Sequence, residues 1–281
     1  MHLLIFGLGY CGTAVADAAH AAGFTVTGTL RQSDRPATIP FDAAAPIIAA
    51  TTHVLSTVPP DDHGDPVVAR YADVIAAAPR LRWIGYLSST VVYGDRAGGW
   101  VDEDTPPAPS QVRGHRRLAA EAAWGAFAVQ RPVDIFRLAG IYGPGRSAFD
   151  DLRSGRARCI LKPGHTFGRI HRDDVAGAVL AAMRQNPRSG QRTFNLTDDE
   201  PAESAAVMEA AARLLNLPPP PAIPFADAEA TMSLMARSFW SENRKVASRK
   251  TQAVLRNAWR YPTYREGLCA ILHQEIAQHP A

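Results

Sequence analysis

The sequence predicts an α/β fold: a doubly wound parallel sheet with a smaller, discontinuous C-terminal substrate lobe. Three observations predict it. Short apolar, β-branched runs alternate with alanine-rich stretches through most of the chain. The first run, residues 2–6, opens straight into Gly7-Leu8-Gly9-Tyr10-Cys11-Gly12 and then an alanine-rich stretch, Thr13 to Ala22. Beyond Gly143-Pro144-Gly145 the alternation turns irregular, as a lobe assembled from late segments would.

Taken in order, residues 2–6 read as a buried strand and 13–22 as a helix. Phe24 to Arg31 has the β-branched alternation of a second strand. Pro40-Phe41-Asp42 predicts a short third strand, and Thr52 to Val58 a fourth that ends at Pro59-Pro60. Val67 to Ala78 predicts a helix, and Leu81 to Leu87 a strand running into Ser88-Ser89-Thr90-Val91-Val92-Tyr93-Gly94. A loop rich in Pro, Gly and Asp spans 94–110, followed by a helix from Arg113 to Val129 and a strand from Val133 to Ala139. Strand and helix return over 168–183 and 192–196. The Pro218–Pro221 run then separates a helix from an ill-defined stretch and a basic, helical C-terminal segment. The expected division is 1–143 with 166–196 as a dinucleotide-binding domain, and 144–165 with 197–281 as the lobe.

Composition sets the broad class. The 281 residues are 46% hydrophobic and 20% charged, an ordinary globular balance. A net charge of +3 is too small to argue for a nucleic-acid partner, so none is expected, and no run approaches a membrane span. Cys11, Cys159 and Cys269 are too scattered for a disulfide framework or a zinc site. With a strand starting at residue 2 no signal peptide is expected, and the expected location is cytoplasmic.

Glycines at a strand-to-helix turn have a specific chemistry. Gly7 permits the tight turn, Gly9 lets a pyrophosphate approach the backbone, and Gly12 allows helix to pack on strand. Tyr10 and Cys11 sit within the same turn, at the helix N-terminus that favours an anion. This is the Rossmann pattern of dinucleotide binding. About twenty residues on, where an acidic residue would accept hydrogen bonds from an NAD ribose, the chain instead has Thr29 and Arg31, followed by Ser33 and Arg35. A guanidinium grips a 2′-phosphate that a carboxylate would repel, so NADP is expected over NAD. Ser56 and Thr57, ending the fourth strand, are expected to line the cofactor through their backbone.

From these residues the chain resembles the extended, atypical short-chain dehydrogenase/reductase superfamily in its epimerase/dehydratase branch. The likeness runs over nearly the whole length, in order. It comprises the glycine turn, the Ser88–Gly94 segment, and Arg137-Leu-Ala-Gly-Ile141-Tyr142-Gly143-Pro144-Gly145. It continues through His171-Arg-Asp173-Asp174-Val175-Ala176 and Phe194-Asn195-Leu196-Thr197-Asp198 to Trp259–Leu268. The resemblance implies hydride exchange with a nicotinamide cofactor, and it gives Ser89 the role of anchoring a substrate hydroxyl or carbonyl. It also implies that Asp42 approaches the adenine edge, with a turn role as the alternative. A homodimer is left open.

The family's catalytic Tyr-x-x-x-Lys should fall just before Leu118. Arg113 stands in the tyrosine's place and Arg117 in the lysine's. An arginine stays protonated, so Arg113 cannot shuttle a proton, although Arg117 could bind ribose hydroxyls. Four apart on one helix face, the two cations would suit an anionic ligand such as a phosphate or carboxylate; a solvated basic face is the plainer alternative. His115 points away, and Tyr10, Tyr93, Tyr142 and His171 are the remaining proton-carrying candidates.

Asp173 and Asp174 read as N-cap and first-turn residues, the run Asp102-Glu103-Asp104 as solvated loop, and Trp240 and Trp259 as lobe core. The expected activity is an oxidoreductase or epimerase on a small hydroxyl- or carbonyl-bearing substrate, nucleotide sugars among the candidates. The rival is a non-catalytic NADP(H)-sensing regulatory protein.

Overall fold

The computed structural model describes residues 1–31 and 36–278. The chain opens with β1 (His2–Phe6), α1 (Tyr10–Ala21), β2 (Thr25–Leu30), β3 (Thr38–Pro40), α2 (Ala45–Ala50), β4 (His53–Ser56), α3 (Pro66–Ala77) and β5 (Trp83–Ser89). Next come β6 (Trp100–Val101), α4 (Val112–Gly125), β7 (Pro132–Leu138), β8 (Gly140–Tyr142), α5 (Ala148–Arg153), β9 (Cys159–Leu161), β10 (Arg169–His171), α6 (Arg172–Arg184) and β11 (Gly190–Leu196). The rest is α7 (Ser204–Leu214), β12 (Ala222–Pro224), α8 (Phe225–Glu229), α9 (Leu234–Trp240), β13 (Lys245–Val246), α10 (Arg249–Leu255) and α11 (Tyr264–Gln278).

Seven strands form one parallel sheet in the order β3-β2-β1-β4-β5-β7-β11. The order reverses between β1 and β4, which opens a crevice at the carboxyl ends of the strands, where such sheets take ligands. Both faces are covered, so β4 and β7 read as continuous buried runs rather than alternating ones. On one face Val15, Ala16 and Ala19 of α1 pack with Val175, Val179 and Ala182 of α6. On the other, Val67, Tyr71 and Ile75 of α3 meet Ala120 and Trp124 of α4. The start of α3 is fixed locally: the Asp65 carboxylate accepts the N–H groups of Val67 and Val68, and Pro66 occupies the first helical position.

Most of the expected strands and helices are present, with a few departures. The third strand lies earlier, at Thr38–Pro40, and Phe41–Ala43 is a 3₁₀ turn. Helix α1 starts at Tyr10, immediately after the glycine turn. The predicted Arg113–Val129 helix gives way at Gly125 to a 3₁₀ turn, Ala126–Val129. Trp259 is not lobe core: with Leu255 it packs among the sheet-covering residues of α1 and α6. β13 pairs with β6 in a separate two-stranded sheet, so a late segment of the chain meets the loop after β5. The lobe itself is built around Phe149, Val207, Tyr264 and Leu268, with a second cluster of Ile160, Ala228 and Trp240. Among the described residues no helix is long and apolar enough to cross a membrane.

Candidate active site

The glycine turn is shaped from both sides. Gly7 has φ +89°, and a Cβ there would lie 2.8 Å from Thr57 Oγ1. The Gly7 N–H donates to Thr29 Oγ1 at 3.1 Å, and the Thr57 hydroxyl donates to the Gly7 carbonyl at 2.7 Å. Thr29 is thus buried and shapes the turn. A Cβ on Gly12 would sit 2.2 Å from the Gly7 carbonyl oxygen, whereas one on Gly9 would meet nothing within 4 Å. That leaves open space before the N-terminus of α1, which has no side-chain cap and no acidic residue in its first turn. Its leading amides keep their partial positive charge for an anion.

Tyr10 lies between two guanidinium groups, Arg172 at 5.0 Å and Arg146 at 5.6 Å from its ring centre, and donates to the Pro144 carbonyl at 3.1 Å. Burial pushes its phenol up to about 12. Burial likewise pushes the Cys11 thiol up to about 11, the opposite of a reactive cysteine. Ser56 is fully buried with its hydroxyl unpartnered, which leaves its backbone as the part able to face a ligand. Arg31 is exposed directly after β2. Ser33 and Arg35 lie outside the described residues. Asp42 is exposed in the turn after β3 and loosely paired with Arg70 at 3.8 Å.

Beside this turn a cleft of about 760 Å³ runs from the ends of β5 and β7 to the lobe. Ser89, Arg113, Arg117, Arg146, Phe239 and Arg244 are among its walls. Ser89 ends β5, and its Oγ accepts the Val91 N–H at 3.3 Å, so its own O–H remains available to donate. The two arginines of α4 diverge. Arg117 donates to the Leu87 carbonyl and to the Tyr86 hydroxyl, both at 2.9 Å, and is thereby tied to β5. Arg113 reaches the lobe instead, 4.2 Å above the Phe239 ring and 3.4 Å from the Ser238 carbonyl.

The expected proton carriers are engaged elsewhere or turned from the cleft. His115 is exposed away from the cleft walls. Tyr93 is fully buried and donates to Asn195 Oδ1 at 2.8 Å. Tyr142 lines the cleft, but its hydroxyl turns toward α11, where Gly267 leaves room, and burial pushes its pKa far up. His171 is buried, accepts the Asp173 N–H through Nδ1 at 3.2 Å, and is pushed down to about 4 by burial. It serves as the N-cap of α6, with Asp173 and Asp174 in the first turn. Asp174 in turn accepts the N–H groups of Arg260 and Tyr261 at 2.6 and 3.1 Å, pinning the C-terminal segment.

A buried polar network underlies the cleft floor. Glu121 pairs with Arg137 at 2.7 Å and accepts from Ser88 Oγ at 2.6 Å, while the Arg137 guanidinium lies 4.9 Å from the Tyr93 ring centre. Glu103 is not the solvated loop residue expected: it accepts from Thr251 Oγ1 at 2.5 Å and from the Asn195 N–H at 3.3 Å. Asp104 pairs with Lys250 at 2.5 Å. Sequence reasoning missed Arg169, Arg244, Glu242 and Phe239, which reach the cleft from short segments without periodic signal.

No protein-family model matches the chain. Protein YeeZ of Escherichia coli (strain K12) is 30% identical over 239 residues, covering 77% of this chain and 84% of that one. A solved structure described as a functionally unknown conserved protein from Silicibacter pomeroyi DSS is 41% identical, with a TM-score of 0.89 over 98% of this chain and 99% of that one. The human epimerase family protein SDR39U1 (isoform 2), solved with NADPH, shares the fold at 20% identity, with a TM-score of 0.78 over 97% and 99% of the two chains. With its parallel sheet, glycine turn and serine-ended strand, the chain belongs to the same family as Protein YeeZ and shares the fold of NAD-dependent epimerase/dehydratase-like structures.

Proposed function

We propose that the protein binds a nicotinamide dinucleotide at the carboxyl ends of β1, β2 and β4 and acts as an oxidoreductase or epimerase on a small hydroxyl- or carbonyl-bearing substrate in the adjoining cleft. The observation that carries the reading is the uncapped start of α1, open at Gly9 and continuous with the cleft through Arg146, which both overlies Tyr10 and lines the cleft. The α1 amides would hold the pyrophosphate, with Arg146 and Arg172 adding charge. Thr29 and Thr57 keep the Gly7 turn in shape for it. NADP is favoured because no carboxylate ends β2 while the exposed Arg31 directly follows it, suited to a 2′-phosphate. When bound, the nicotinamide supplies hydride exchange.

Arg117, anchored on β5, would offer its remaining N–H groups to ribose hydroxyls. The Ser89 hydroxyl would donate to the substrate oxygen and orient it. Arg113 holds its proton, so turnover on hydroxyl compounds should be slow. Reduction of NADP by some member of a hydroxyl-compound panel, falling about a hundredfold or more in Ser89→Ala, is the expected result. Turnover indifferent to Ser89→Ala would count against it. The second reading, a non-catalytic NADP(H)-sensing protein, is favoured by the arginine in the phenol's place. A protein partner whose affinity follows the NADP/NADPH ratio, with no turnover on the panel, would support that instead.

A further inference from the structure

The cleft carries more positive charge than its walls neutralise. Six arginines line it, and Glu242 is the one carboxylate among its lining residues. Arg244 is paired with Glu242 at 2.8 Å, and the other Glu242 oxygen accepts the Ser110 hydroxyl at 2.5 Å. Arg116 is paired with Asp62. The other four, Arg113, Arg117, Arg146 and Arg169, make no ion pair among the described residues. Arg117 is engaged with Leu87 and Tyr86. Arg169 donates to the carbonyls of Phe167 and Ala202 at 2.9 and 3.0 Å. Arg146 overlies Tyr10, beside the glycine turn.

Arg113 is different. Its guanidinium is half-buried, its contact with Ser238 is long, and its Nε is buried with no hydrogen-bond partner. Phe239 supports it from one side, its ring centre 4.2 Å from the guanidinium carbon. A second buried polar atom on the same cleft, Thr166 Oγ1, is also unpartnered. Buried donors left without acceptors are costly, and a guanidinium most of all. What such a fork lacks is an oxyanion able to take paired N–H bonds. A neutral hydroxyl would leave the charge uncompensated.

We propose that Arg113 is the seat of an oxyanion, a carboxylate or a phosphate, carried by the substrate where α4 meets α9 of the lobe across the cleft. The substitution of arginine for the family's phenol thus exchanges a proton carrier for an anion receptor, and the ligand is a hydroxy or keto acid or its phosphorylated counterpart. This rests on the dinucleotide and cleft reading above.

The test is calorimetric, on the full chain in low-salt buffer free of competing oxyanions. The protein is first titrated with NADP and then, saturated, with malonate, inorganic phosphate and neutral glycerol. One of the two oxyanions is expected to bind and glycerol not, and the preferred oxyanion identifies the source. In Arg113→Gln that binding should weaken roughly 10–100-fold, the loss expected for a charge-assisted hydrogen bond, with NADP affinity kept as the sign of an intact fold. Arg113→Lys should recover only part, since an ammonium lacks the fork. Oxyanion binding unchanged in Arg113→Gln, or no oxyanion binding to the NADP-saturated protein, overturns the inference. Failure of the first titration is instead a failure of the dinucleotide reading, so the two are told apart.

Discussion

Arg137→Ala is expected to destabilise the protein by about 3–5 kcal/mol, measured as a fall in the urea midpoint with an unchanged slope. Both members of the Arg137–Glu121 pair are almost fully buried, with side-chain exposures of 6% and 4%. The geometry is close to the ideal for a fork on a carboxylate: Arg137 Nη2 donates to Glu121 Oε2 at 2.7 Å and Nε to Oε1 at 3.1 Å, with Ser88 completing the carboxylate. Removing the arginine strands a carboxylate beneath the cleft floor and uncovers the Tyr93 ring. Replacing both partners by apolar residues of similar volume, Glu121→Leu with Arg137→Met, should cost far less, because no charge is left unpaired. A single-mutant loss below about 1 kcal/mol, the range of exposed pairs, would show that water reaches the network.

Gly12→Ala and Gly9→Ala are expected to weaken dinucleotide binding severely, for different reasons. At Gly12 the added Cβ lies 2.2 Å from the Gly7 carbonyl oxygen, so turn and helix must separate by about an ångström, and both stability and binding should fall. At Gly9 the Cβ meets no protein atom, so the thermal midpoint should stay near that of the unchanged protein. Binding should still weaken a hundredfold or more, because the methyl stands where the pyrophosphate must approach the backbone. A Gly9→Ala protein with undiminished dinucleotide affinity would place the ligand elsewhere.

The parts of this protein that sequence could reveal are those governed by local rules. The buried runs of β1, β4, β5 and β7, the glycine turn and the alanine-rich α1 carry their periodicity and turn chemistry on their surface. The third strand was harder, because it is only three residues long and its last, Pro40, runs straight into the 3₁₀ turn Phe41–Ala43. Arg113 and Arg117 were visible as departures from a motif. Their divergence was not, since it depends on Phe239 and Ser238 arriving from a lobe helix more than a hundred residues away. The same holds for Glu103, whose partners Thr251 and Asn195 lie in distant segments. Long-range polar pairing leaves no periodic trace.

The central claim is a nicotinamide dinucleotide at the start of α1, and calorimetric titration with NADPH, NADP, NADH and NAD tests it most directly, with Arg31→Asp run alongside. The account predicts binding of the phosphorylated pair in preference to the other two, and loss of that preference in Arg31→Asp as a carboxylate meets the 2′-phosphate. Absence of binding by all four would contradict it.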